Sequence, residues 1–308
     1  MVALFPRARG RRSLAVALLA IAIMPAPLFA QTMPRLDHVS ICASDLDALS
    51  QSFTRAGLVA DPAGLHVNAA NRMAHIGFAD QTYIELIGPA RTGIFEGSPW
   101  NGLIAGNAGP CFWFVGTPDI AAEADRLKQA GIKVTAPNPG GRPRRDGASV
   151  AWLSAMAGDG SPGAVLPLMI EDRTPHSWRI RPSQSLAGGP LAGVRRVVIG
   201  VRDLDATIKL FRQAYGWRAP RRQHDPDFGQ LAAFPGQPVI LAAARDGWLA
   251  ERVTRFGDGP VAYLLGTSDF NAARRKYRLV AGNRWFARRI GWFATLRAQG
   301  IRLGVLDR

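Results

Sequence analysis

Four times along the chain a short apolar run gives way to an Asp, then to apolar positions at helical spacing, then to a Gly. The copies are HVSICASDLDALSQSFTRAG, CFWFVGTPDIAAEADRLKQAG, VVIGVRDLDATIKLFRQAYG and AYLLGTSDFNAARRKYRLVAG, with the Asp at 45, 119, 203 and 269 and the Gly at 57, 131, 216 and 282. The apolar runs are rich in β-branched and aromatic residues and suit strands. Leu46, Leu49 and Phe53 in the first copy, and Ile208 and Phe211 in the third, fall on one helical face. Each Asp stands where a helix needs an acceptor for its free N–H groups, and each Gly where the chain leaves the helix. Asp45, Asp119, Asp203 and Asp269 are therefore read as caps, outside any catalytic site.

Material for about three further strands follows each helix. In the first copy it lies near 58–61, 72–78 and 82–88, and in the second it includes 150–156 and 165–172. Each unit is thus βαβββ, and two units make one domain, 36–172. The segment 173–193 is rich in Pro, Gly and Ser and reads as a linker. The second half, 194–308, repeats the first: LDHVSICASDLD aligns with VRRVVIGVRDLD, and GPCFWFVGTPD with GPVAYLLGTSD. Such a repeat sets an α+β architecture before any single residue is interpreted. The stretch 283–290, NRWFARRI, carries no pattern that assigns it.

The first 30 residues have the plan of an export segment, with Arg7, Arg9, Arg11 and Arg12 ahead of an uncharged apolar run and a small residue, Ala30, at its end. Pro25 and Pro27 interrupt that run and speak against a retained membrane span. Sec and twin-arginine export both fit, and the expected destination is the periplasm. The formal charge of +15 falls to +11 without those four Arg. An Arg-rich composition accounts for the excess, and attraction to anionic surfaces or acidic substrates is the alternative. No zinc finger, helix-turn-helix or RNA-binding pattern occurs, so nucleic acid is not an expected partner. The two cysteines, Cys42 and Cys111, lie on predicted strands with their side chains out of phase, which argues against a disulfide.

LDHV at the first strand, His66 to Met73 with Asn71-Arg72, YIELIG at the fourth strand and LPLMIED near 172 resemble the vicinal oxygen chelate superfamily, in its glyoxalase-like branch. The resemblance covers 36–172 well and 194–308 more loosely. It implies tandem domains, each of two βαβββ units forming a half-open barrel cleft. It further implies a divalent metal (Fe, Mn, Zn or Ni) in the first cleft, held by His38, Glu85 and Glu171, with Phe112 at the fourth ligand position. The residues themselves agree in part, because Glu85 and Glu171 are carboxylates in otherwise apolar strands and need a partner or a cation.

The resemblance also makes His66 or His75 the general acid or base, with Asn71, Arg72 and Phe112 contacting substrate. Arg144 belongs to the basic loop 140–147, which is either a receiver of anionic substrate or a solvated turn. The equivalent positions of the second domain are Arg196, Leu241, Ala262 and Leu306, so that copy reads as degenerate. The expected function is metal-dependent isomerase, lyase or dioxygenase chemistry on a small oxygenated molecule, by a monomer or homodimer. A metal-free protein that binds or sequesters a small molecule is the alternative, and a purely structural role is the third.

Overall fold

The structure, a computed structural model, describes residues 1–2, 35–65, 71–90, 100–144, 146–159 and 165–307. Residues 3–30 of the expected export segment, His66 and Arg145 lie outside these. The first half runs β1 (Arg35–Cys42), α1 (Leu46–Arg55), β2 (Asp61–Leu65), β3 (Asn71–Gly77), β4 (Tyr83–Pro89), α2 (Asn101–Ala105), β5 (Gly109–Gly116), α3 (Ile120–Gln129), β6 (Asn138–Pro143), β7 (Ser149–Met156) and β8 (Leu168–Asp172). A short helix, α4 (His176–Arg179), follows within the stretch expected as a linker. The second half runs β9 (Leu191–Gly200), α5 (Leu204–Tyr215), β10 (Arg221–Asp225), β11 (Gly229–Ala233), β12 (Val239–Ala243), α6 (Gly247–Phe256), β13 (Gly259–Thr267), α7 (Phe270–Lys276), β14 (Val280–Ala281), β15 (Ile290–Trp292), α8 (Ala294–Arg297) and β16 (Leu303–Leu306).

The strands form two eight-stranded sheets of one topology, β2-β3-β4-β1-β5-β8-β7-β6 and β10-β11-β12-β9-β13-β16-β15-β14. In each, two βαβββ units meet at their first strands. β1 pairs antiparallel with β5, and each of these pairs parallel with the last strand of its own unit. The result is the expected α+β fold of two half-open barrels. The four Asp are caps, as their spacing predicts: Asp45, Asp119, Asp203 and Asp269 all accept backbone N–H groups in the first turn of α1, α3, α5 and α7. Gly216 takes the left-handed C-cap of α5 at φ 64°. The fourth copy departs from the pattern, since α7 stops at Lys276 and Arg278 takes the left-handed turn at φ 50°.

One hydrophobic core runs through both halves, joining Val39, Phe53 and Trp113 of the first to Val197, Phe211, Tyr263 and Phe293 of the second. Within that core Tyr263 on β13 sends its hydroxyl to the β1–β5 junction. There it lies 2.9 Å from the Ser40 carbonyl and 2.7 Å from the Phe112 carbonyl, and accepts from the Cys111 N–H at 3.2 Å.

The same junction corrects the reading of the cysteines, because Cys42 and Cys111 form a disulfide. β5 bulges here: Ser40 pairs with Phe112 and Ile41 with Pro110, which leaves Cys111 as an extra residue. A bulge breaks the period-two alternation. It brings Cys111 into the apolar cluster that holds Cys42, Phe112 and Phe114.

Candidate active site

The concave face of the first sheet encloses a cavity of about 240 Å3. Period-two alternation decides which side chains reach it. From β1, β3 and β4 come His38, Met73 and His75, and Tyr83 and Glu85; from β5 and β8 come Phe114, Leu168 and Ile170. Trp100 and Trp152 add aromatic walls, and Arg142 on β6 and Arg179 on α4 add charge. An apolar, aromatic pocket with a few convergent polar groups is the usual form of a small-molecule site.

His38 is fixed on three sides. Its ring stacks between Tyr83 and Phe114, at centroid distances of 4.4 and 3.9 Å. Its Nδ1 lies 2.6 Å from Asp37 Oδ1. Neighbouring residues on a strand ordinarily face opposite ways, but β1 bulges at Asp37: Leu36 pairs with Val115 and His38 with Phe114. The bulge turns both side chains to one side.

Behind them Arg179 binds Asp37 through both terminal nitrogens, each at 2.8 Å, donates to the Tyr83 hydroxyl at 2.7 Å and grips Asp172 at 2.6 and 3.0 Å. Burial pushes the Asp37 carboxyl up, but the Arg179 charge, the Arg179 hydrogen bonds and His38 outweigh it and hold the group well below the usual carboxylate range. Burial raises the Tyr83 phenol well above its ordinary value, Arg179 opposing in part.

His75 and Glu85 form a second polar pair. They face each other across β3 and β4, with His75 Nε2 3.6 Å from Glu85 Oε1. Ser40 donates to the other carboxylate oxygen at 2.9 Å. His75 Nε2 is buried and, among the described residues, has no partner closer than Glu85. Burial lowers the His75 pKa below its ordinary value, with Glu85 opposing, which favours the neutral ring. Arg142 lines the same cavity, held by a bond to the Arg179 carbonyl at 2.8 Å, and burial lowers its pKa as well.

The expected metal set does not assemble. Glu171 lies on the other side of the sheet, where it accepts from the Ile120 N–H at the start of α3 at 2.9 Å and pairs with Arg173. Sheet register gives the reason. β1 and β4 pair Ser40 with Glu85, and the matching pairing of β5 and β8 sets Phe114 beside Leu168. Leu168, not Glu171, is therefore the counterpart of Glu85, and Glu171 sits out of phase by an odd number of residues. Among the described residues no three His, Cys, Asp or Glu side chains converge as a metal site. His38, His75 and Glu85 line one cavity without grouping as a metal site in this structure.

Other expected residues divide. Phe112 is buried in the cluster beneath the cavity, edge-tilted against Trp100. Asn71 is buried, away from the cavity lining, and neither amide atom has a hydrogen-bond partner among the described residues. Arg72 points outward to Asp47 at 3.1 Å. Arg144 pairs with Asp146 and lies over Trp178, in an outer groove that shares His75, Arg142 and Arg179 with the cavity. Asp37 and Arg179 were not among the expected site residues, and Arg142 was expected only as part of the basic loop 140–147. Asp37 was visible within LDHV, but Arg179 carries no local pattern that marks it.

In the second sheet the register counterparts of His38, Glu85, Phe112 and Leu168 are Arg196, Ile240, Ala262 and Gly304. The register replaces the expected Leu241 and Leu306 with Ile240 and Gly304, and none of the four is a usual metal ligand.

This fold and this cleft define a vicinal oxygen chelate protein. Residues 36–215 match the family model described as a glyoxalase-like domain, more than half of the chain, and the chain belongs to that family. No curated protein matches the sequence. Solved structures share the fold. A hypothetical protein from Staphylococcus aureus is 13% identical with a TM-score of 0.59, over 90% of this chain and 100% of its own. A variant 4-hydroxymandelate synthase from Streptomyces coelicolor is 11% identical with a TM-score of 0.56, over 89% and 92%. A Mn(II)-bound glyoxalase from Novosphingobium aromaticivorans is 12% identical with a TM-score of 0.52, over 91% and 83%.

Proposed function

We propose that the first cleft binds a small, flat, oxygenated molecule and moves a proton on it without a resident metal. The observation that carries this reading is the buried Nε2 of His75, with no partner closer than Glu85 among the described residues, in an aromatic cavity. A neutral imidazole in that position accepts a proton, with Glu85 balancing the imidazolium that forms. Arg142, which lines the cavity, stabilises negative charge developing on a substrate oxygen. His38, tied to Asp37 and stacked between two rings, orients the molecule and supplies a second acid–base group.

Export to the periplasm belongs to the same proposal. The pattern of residues 1–30 supports it, and so does the Cys42–Cys111 disulfide, which persists in an oxidising compartment.

The test is solvent exchange. A panel of 2-hydroxy and 2-oxo acids is incubated in deuterated buffer with the chelator-treated chain, and C–H exchange is read by NMR. The expected result is exchange of at least one panel member that persists with chelator and is lost in His75→Gln and in Glu85→Gln. Exchange that requires added Fe, Mn, Zn or Ni would overturn the metal-free reading. A second reading, sequestration without turnover, is favoured by the stacking that makes His38 part of the wall. It predicts saturable binding of panel members with no exchange.

A further inference from the structure

The second cleft reverses the charge of the first. Arg195 and Arg196 occupy the places on β9 that Asp37 and His38 occupy on β1. β9 repeats the bulge: Val194 pairs with Leu265 and Arg196 with Leu264, which leaves Arg195 as the extra residue. Where β1 has an acid–histidine pair, β9 has two adjacent arginines, of which Arg196 lines the cleft.

The cavity beside Arg196 holds about 290 Å3. Arg196, Arg221 and Arg288 line it together with Phe234, Trp285 and Phe286, and among the described residues no acidic side chain does. Asp307, beside Arg196 and Arg288 in the adjoining groove, pairs with Arg289. Arg196, half-buried, donates only to the Arg195 carbonyl at 2.8 Å and has no ion pair among the described residues. Burial lowers its pKa, and the charges of Arg195 and Arg288 lower it further. A cation in that position gains most from an anion that arrives with a ligand.

The wall that carries Arg288 is a built feature. Trp285 and Arg288 bridge each other through main-chain bonds of 3.0 and 2.9 Å. Between them Phe286 and Ala287 both take the left-handed conformation, at φ 50° and 70°. Asp225 holds this turn through Trp285 Nε1 at 2.8 Å and Asn283 at 3.0 Å, and Gln223 accepts from the Phe286 N–H at 2.6 Å. A strained turn so heavily tied fixes Phe286 and Arg288 at the cavity.

We infer that the second cleft is a binding site for a small molecule carrying a carboxylate or phosphate group on an apolar body. The anion sits among Arg196, Arg221 and Arg288, and the apolar part lies against Phe234, Trp285 and Phe286.

Calorimetric titration tests this with benzoate and phenyl phosphate, and with benzamide as the uncharged control, at constant ionic strength. The full chain carries Arg142→Met, so that the first cleft does not contribute an anion site. The expected result is saturable binding of benzoate or phenyl phosphate at one equivalent, with benzamide at least about tenfold weaker. Adding Arg196→Met weakens anion binding about tenfold or more, while Arg196→Lys restores part of it. Arg196→Met also melts no lower than its parent, because it removes an unpaired half-buried cation. Absence of saturable anion binding in the parent would overturn the inference, as would unchanged affinity in the Arg196→Met chain. If Arg142→Met fails to fold, the wild-type chain and its Arg196→Met variant are compared instead. Saturable anion binding lost in that variant supports the site, and binding that the variant retains in full overturns it.

Discussion

Arg179→Met is the perturbation whose size follows most directly from the cleft. The guanidinium is 3% exposed and makes two bonds to Asp37, two to Asp172 and one to Tyr83. Asp172 keeps His176, at 2.7 Å, when Arg179 is lost. Asp37, 8% exposed, keeps only His38 and is left as a buried carboxylate without its cation. Removing one partner of a buried ion pair costs about 3–5 kcal/mol, and the His38 contact favours the lower end, about 3. That loss moves the urea midpoint of the chain down by about 1 M.

The pH dependence carries a sign. In the intact protein the Asp37 carboxyl lies below its unfolded value, so its stabilisation is present above about pH 3.9 and is lost as the pH falls below that. Without Arg179 burial raises the carboxyl instead, and the folded chain takes up a proton before the unfolded chain does. The deficit of the variant therefore shrinks between pH 7 and about pH 4, and Asp37→Asn added to it recovers part of the deficit at pH 7. Urea unfolding at pH 7 and pH 4.5 measures both effects. A deficit under about 1 kcal/mol at pH 7, or one that does not shrink on acidification, refutes the account.

Two further outcomes follow from features away from that network. Cys42 and Cys111 close a loop at a sequence separation of 69, and Cys42→Ala with Cys111→Ala is expected to cost about 4 kcal/mol by the chain-entropy relation. Thiol titration of the unreduced, denatured wild-type chain should find no free thiol, and two would show the bridge absent. Glu171→Gln removes a charged cap of α3 rather than a cleft group, so it should cost about 1 kcal/mol in thermal unfolding and leave ligand binding in the first cleft unchanged. Binding weakened tenfold in that variant would place Glu171 back in the site.

The parts of this molecule that were legible in its sequence are those decided within a few residues. Each Asp cap bonds to N–H groups two or three positions ahead, so spacing alone exposed the helices and, through their repetition, the paired βαβββ units. Glu85 was visible as a carboxylate in an apolar strand, and His38 and His75 came with the family resemblance. Glu171 escapes such reading because its facing depends on how β8 registers against β5, a pairing set across the sheet and not along the strand. The disulfide escapes it for a related reason, since one extra residue in β5 inverts the period-two parity of the strand. Arg179 lies 142 residues from Asp37, in a stretch whose Pro and Ser content suggests only a connection. The turn at 285–288 takes its shape from Asp225 and Gln223, about 60 positions earlier, and offers no local periodicity to detect.

The Tyr263 hydroxyl has a practical meaning for anyone who would shorten this chain. It occupies the bulge from which Ser40 and Phe112 proceed, and the Ser40 side chain in turn holds Glu85. A fragment cut after Asp172 would keep every residue that lines the first cavity except Arg179, yet would leave the Cys111 N–H at its base without its phenol partner. It would also strip Val39, Phe53 and Trp113 of the apolar neighbours that the other half supplies. Half of the molecule, expressed alone, would therefore be a poor stand-in for its own first cleft, and a fragment that binds nothing would say nothing about the whole.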